Sequence, residues 1–104
     1  MIDKRKFYIN GQWVSPSKPN DYEVINPSTE EVFATISLGS TEDTNAAVSA
    51  AKKALVSWSE SSKDERLNLL EKLLSIYKKR YGEMADAISM EMGAPMDWAT
   101  DVQT

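Results

Sequence analysis

At Gly39 the apolar residues change their repeat. Before it they recur at every second position and after it about every 3.6, so the chain is restricted to short strands followed by helices that each bury one stripe. In the first part, Phe7-Tyr8-Ile9 and Trp13-Val14 flank Asn10-Gly11, the dipeptide that most readily takes positive φ in a tight turn, and a hairpin is expected there. Ser15 to Asp21 holds Pro16, Pro19 and Asn20 and reads as a loop, because proline withholds the backbone donor that a sheet needs. Tyr22-Glu23-Val24-Ile25 reads as a strand, Asn26-Pro27-Ser28-Thr29-Glu30 as a turn, and Val32-Phe33-Ala34-Thr35-Ile36 as a second strand that Gly39 closes.

Past Gly39, Ser40 with Asp43 resembles a capping pair for a helix over Thr41 to Trp58, whose Ala47, Ala51, Ala54, Leu55 and Trp58 share one face. Ser62 and Glu65 form a fuller capping box for a second helix. Its stripe is Leu67, Leu70, Leu73, Leu74, Tyr77 and Tyr81, read as core, and Gly82 is expected to break it. A third helix over Glu83 to Met92 places Met84, Ala85, Ile88 and Met92 inward, and Gly93-Ala94-Pro95 supplies a left-handed stop. Pro95 is expected to open a fourth helix that still runs at Thr104 without a C-cap, as if cut in mid-element.

Composition narrows the chemistry. The 41% hydrophobic and 27% charged residues place the chain among soluble globular proteins rather than disordered or membrane classes. A net charge of −4 with a pI near 4.8 argues against nucleic acid as a partner, since that affinity leans on clustered Lys and Arg. With no cysteine and no histidine, disulfides, thiolate metal sites and Ser/His or Cys/His nucleophile pairs cannot lie within these residues. The charged start Met1-Ile2-Asp3-Lys4-Arg5-Lys6 opens no run long enough for a signal peptide or membrane span, which makes a cytoplasmic location the expectation.

Tyr8-Ile9-Asn10-Gly11-Gln12-Trp13-Val14, followed by Val24-Ile25-Asn26-Pro27-Ser28-Thr29-Glu30-Glu31-Val32, resembles the opening of NAD(P)-dependent aldehyde dehydrogenases. That family continues with a glycine-ended strand, a helix like the one over Thr41 to Trp58, the pattern Trp58 … Arg66-Leu67 … Leu70, and a Glu-x-Gly-x-Pro element matched by Glu91-Met92-Gly93-Ala94-Pro95. The order of these landmarks over nearly the whole chain carries the resemblance. Singly, each has a local explanation, Asn10-Gly11 and Asn26-Pro27 as turns and Trp13, Trp58 and Trp98 as packing anchors.

The resemblance implies an α/β parent, of which residues 1–39 are strands and turns and residues 40–104 are three to four helices at the amino-terminal part of the cofactor-binding domain. The catalytic and oligomerisation domains are absent from these residues. It further implies oxidation of an aldehyde to a carboxylic acid with NAD or NADP through a cysteine thiohemiacetal, with the segment alone inactive because that cysteine and the water-activating glutamate lie elsewhere. Its implied partners are a small aldehyde, the remainder of the same polypeptide, and further copies in a homodimer or homotetramer.

Two groups of residues acquire candidate roles in this way. Many family members hold a monovalent cation, Na+ or K+, on backbone carbonyls before the Asn-Pro turn and on an acid before Gly-x-Pro; by position these are Val24, Ile25 and Glu91. The family acid is often Asp, and a further carbonyl comes from beyond Thr104. Glu91 also reads as a solvated acid at a helix end. The last helix borders the family's aldehyde tunnel, with Val102 on the lining face and Trp98 one turn earlier near the entrance; packing is the competing role for both. Two rival functions remain in view: a helical adaptor docking through its leucine-rich helix, and a carboxylate hydrolase using Asp43, Glu60 and Glu65.

Overall fold

The computed structural model describes residues 1–104. Five strands, β1 (Ile2–Lys4), β2 (Phe7–Ile9), β3 (Gln12–Val14), β4 (Asp21–Asn26) and β5 (Glu31–Ser37), precede the helices α1 (Thr41–Trp58), α2 (Lys63–Lys79), α3 (Tyr81–Met92) and α4 (Met96–Trp98); a π-helical turn over Ala99–Gln103 follows. Strands then helices is the order the change of repeat predicts. The chain divides into two compact units, Met1–Ile25 with Val32–Glu60, and Asn26–Glu31 with Ser61–Thr104.

In the first unit, β2 and β3 form the expected hairpin, pairing Phe7 with Val14, Tyr8 with Trp13 and Ile9 with Gln12. Asn10 and Gly11 both take positive φ, 53° and 76°, the geometry whose twist matches that of the flanking strands. Tyr8 and Trp13 face each other across the pair with ring centroids 5.2 Å apart. The other sheet has the order β1-β5-β4. Strand β1 lies parallel to β5, Asp3 opposite Thr35, and was not expected from the sequence. Three residues carry too little pattern to announce a strand, and the partner sits some thirty positions away. Only Ala34 is a buried apolar residue of this unit, beside the buried polar residues Ser37 and Asp43.

Helix α1 begins and ends where predicted, and the Ser40–Asp43 pair forms a complete capping box. Its expected inward stripe, however, is largely uncovered: Ala51, Ala54, Leu55 and Trp58 are exposed and Ala47 is half-buried. The amphipathic pattern fixes which face is apolar, and within this unit most of that face stays accessible.

In the second unit, α2 carries the predicted Ser62–Glu65 capping box, the two groups satisfying each other's backbone donors. None of its residues is fully buried. The stripe expected as core is exposed at Leu67, Leu70, Leu73 and Leu74, with Leu70 and Leu73 each 60% accessible. The break before α3 falls at Arg80 (φ −105°, ψ 13°), not at Gly82, which lies inside α3 together with Tyr81. Glycine weakens a helix interior by only about 1 kcal/mol, so the turn is set instead by the Arg80 amide, shared between the carbonyls of Ile76 and Tyr77. Ala85 of α3 is buried, while Met84 and Met92, expected inward, are exposed. Gly93 ends α3 in the left-handed region with φ 72°, as Gly-Ala-Pro predicts. The fourth helix is shorter than expected, three residues capped by Pro95, because the chain widens into the π turn at Ala99. Ala99 and Ala85 form the small core of this unit.

Candidate functional site

Three local constructions stand out, and each places residues the sequence singled out. The first lies at the start of α1. Asp43 accepts the backbone N–H of Ser40 at its Oδ2 and the backbone N–H of Ser17 at its Oδ1, both at 2.9 Å, and Ser40 Oγ sits 2.8 Å from Ser17 Oγ. These backbone donors, Ser40 first and Ser17 next, hold the carboxyl at about 2. Asp43 therefore ties the proline-rich loop to the helix start. That capping role accounts for Asp43 without catalysis, and Glu65 serves the same purpose at the start of α2, which leaves the hydrolase reading little to stand on.

This construction also bears on the cofactor. The junction from β5 through Gly39 to α1 is a strand, a glycine and a helix, which is the order that a phosphate-cradling turn requires. Here the Asp43 amide is taken by the Ser40 side chain, and Glu42 and Asp43 occupy the first turn. Acidic groups favour a helix N-terminus in place of a phosphate and repel one. The residues present do not fit the pyrophosphate of a dinucleotide.

The second construction joins the Asn-Pro turn to the end of α3. Asn26 Oδ1 accepts the Ser28 amide at 2.9 Å, and the Asn26 carbonyl accepts the Glu30 amide at 2.8 Å. Gly93 lies so close to this turn that a Cβ there would stand 3.1 Å from Pro27 Cγ and 3.2 Å from Ser28 Oγ. Ser89 Oγ donates to the Ala94 carbonyl at 2.8 Å and fixes the following turn. Two landmarks of the sequence resemblance are thus one packed joint. Of the candidate cation ligands, Val24 is half-buried and Ile25 exposed, both on β4 in the first unit, while Glu91 is exposed on α3 in the second. Backbone carbonyls and a carboxylate are oxygen donors, which suits a hard ion. No group of three or more His, Cys, Asp or Glu side chains is gathered to hold a metal.

The third construction carries Trp98 and Val102, which are 55% and 61% exposed. The turn that bears them is fastened by two tyrosines: Tyr81 Oη donates to the Thr100 carbonyl at 2.5 Å and Tyr77 Oη to the Thr104 carbonyl at 3.1 Å. The two rings meet edge to face, with centroids 6.1 Å apart. Periodicity placed both tyrosines on the apolar stripe and gave no sign of their hydroxyl partners, since a carbonyl of a distant turn has no signature in sequence.

The profile of the aldehyde dehydrogenase family matches residues 13–104. The chain is 49% identical over 96 residues to 3-succinoylsemialdehyde-pyridine dehydrogenase from a Pseudomonas species, spanning 92% of this chain and 20% of that protein. Its fold superposes on the aldehyde dehydrogenase of Bartonella henselae with a TM-score of 0.97 at 58% identity, over 99% of this chain and 22% of that one. A mutant of aldehyde dehydrogenase C from Pseudomonas syringae, crystallised with NAD+ and octanal, gives 0.93 at 40% identity over 95% of this chain and 20% of that one. The chain spans about one fifth of the length of these relatives. With the hairpin, the Asn-Pro turn and the Gly-x-Pro joint all in their expected order, this chain belongs to the aldehyde dehydrogenase family.

Proposed function

We propose that these residues are the amino-terminal part of an enzyme that oxidises an aldehyde to a carboxylic acid with NAD(P)+. The observation that carries the reading is the match to the family over nearly the whole chain, at one fifth of its relatives' length. Because the chain contains no cysteine, the nucleophile that forms the thiohemiacetal is contributed by residues outside it. NAD(P)+, when bound, supplies the hydride acceptor, and the acidic first turn of α1 supports a reading in which its phosphates bind outside these residues. The 104 residues alone are inactive in this reading. Their contribution is scaffolding: strands and helices whose uncovered apolar faces on α1 and α2 the remaining polypeptide closes.

The candidate sites extend the same reading. Carbonyls of Val24 and Ile25 with the Glu91 carboxylate serve as ligands for Na+ or K+, and Val102 with Trp98 borders the path of the aldehyde. The assembled enzyme is a cytoplasmic homodimer or homotetramer, a reading supported by the family resemblance. The experiment is direct. The complete polypeptide, given an aldehyde and NAD+ or NADP+, should form the acid and reduced nicotinamide together, and the isolated 104 residues should form neither. No aldehyde-dependent reduction by the complete polypeptide across short, long and aromatic aldehydes would overturn the proposal. For the cation, thermal stability should rise with NaCl or KCl in wild type and lose that response in Glu91→Ala; equal responses would remove Glu91 from the site.

A further inference from the structure

We infer that Leu69, Leu73 and Ile76 of α2 are the seat of an acidic amphipathic helix supplied by the rest of the polypeptide; the inference rests on the reading of these residues as part of a longer enzyme. Leu67, Leu70, Leu74 and Tyr77 make one stripe of α2, and Leu69, Leu73 and Ile76, spaced i, i+4, i+7, make a second beside it. Together they take up about half the circumference, more than the roughly 100° stripe that faces a single core. The first stripe runs into Tyr77, the one residue of α2 that is not exposed, whose hydroxyl donates to the Thr104 carbonyl. The second has no cover: Leu69, Leu73 and Ile76 are 52%, 60% and 46% accessible.

The charges beside the second stripe define its cover. Arg66, Lys72 and Lys79 flank it and enter no salt bridge within the chain. The acid on this side, Glu65, is held by the Ser62 amide at 2.7 Å, while Asp64 and Glu71 stand on the opposite face. A ridge at this spacing packs into the groove of another helix, and three uncompensated cations along it call for carboxylates on that helix. A two-fold contact between copies would set Arg66 and Lys72 near the basic rim of the other copy, and like charges disfavour it. A helix that lies on anionic lipid carries basic residues over its polar face, where α2 places Asp64 and Glu71. The same polypeptide is the source that remains, since this chain spans about one fifth of the length of its relatives.

The test uses the complete enzyme. A carbodiimide, which joins an amine to a carboxylate in direct contact, should link Lys72 or Lys79 to Asp or Glu of one helix outside residues 1–104. In enzyme assembled from isotopically light and heavy subunits, each linked pair should carry a single isotope, which places both partners in one subunit. Lys72→Glu should speed amide exchange over Leu69–Ile76 by about 2- to 5-fold, and changing the linked acid to Lys should restore it. Leu73→Ala should speed the same amides by about 30-fold or more, because a covered leucine leaves a cavity and an exposed one does not. Links between subunits, no link to a residue outside 1–104, or a silent Leu73→Ala each overturn the inference. Flotation of the enzyme with phosphatidylserine vesicles, abolished in Leu73→Glu, would assign the stripe to lipid and overturn it as well. If the links formed while aldehyde-dependent reduction of NAD(P)+ was absent, the proposed function would fail and the docked helix would stand.

Discussion

A methyl group added at Gly93 meets two penalties at once. With φ 72° and ψ 17°, the residue occupies the left-handed region, where an L side chain costs about 1–2 kcal/mol. The new Cβ would also stand 3.1 Å from Pro27 Cγ and 3.2 Å from Ser28 Oγ, inside the roughly 3.5–4.0 Å at which carbon contacts are favourable. The proline ring cannot rotate aside, so the Asn26–Glu31 turn must move, at an overpacking cost of about 1–3 kcal/mol. Set against a gain of about 0.4–1 kcal/mol from the stiffer unfolded chain, Gly93→Ala should destabilise the joint by about 3 kcal/mol. Native-state amide exchange reads this locally. The Gly93 amide, bonded to Ser89 O at 2.9 Å, and the Ser28 and Glu30 amides of the turn should exchange about 100-fold faster. Gly93→Asn separates the terms, because asparagine tolerates the left-handed region but keeps the Cβ, and should recover about 1 kcal/mol. Gly82→Ala is the control: nothing lies within 4 Å of its added carbon, and a helix interior should gain about 0.5–1 kcal/mol. If Gly93→Ala matched that control, the packed joint between the two motifs would be wrong.

Asp43 gives a pH prediction of definite sign. Its folded value of about 2 lies below the ordinary 3.8, so its contribution is complete above about pH 4 and is lost as pH falls toward 2. The difference in melting temperature between wild type and Asp43→Ala should shrink through that window, and a gap independent of pH would refute the assignment. The isolated 104 residues should self-associate through the exposed face of α2, and Leu70→Glu combined with Leu73→Glu should shift sedimentation toward monomer. A wild-type chain that stays monomeric at every concentration would show that this face needs no cover. Gly11→Ala should loosen the hairpin by about 1 kcal/mol, read as faster exchange of the β2 and β3 amides, since φ 76° disfavours the Cβ of alanine.

Local chemistry made much of this protein legible from its residues. Asn10-Gly11 can hardly avoid a tight turn, Ser40 with Asp43 and Ser62 with Glu65 each write a helix start, and Gly93 before Pro95 writes a stop; in every case the donor and acceptor lie within a few positions of each other. The ordered landmarks identified the family on the same grounds, and family membership leaves the helical adaptor without support. Tertiary structure decided the rest. Whether a leucine stripe is buried depends on what lies over it, and α2 has the pattern of a core helix with no cover in its unit. The pairing of β1 with β5, the Ser17 amide on Asp43, Pro27 against Gly93 and the tyrosine hydroxyls on Thr100 and Thr104 all join residues distant in the chain. Periodicity reports which face is apolar, but only the folded backbone brings such partners within bonding distance.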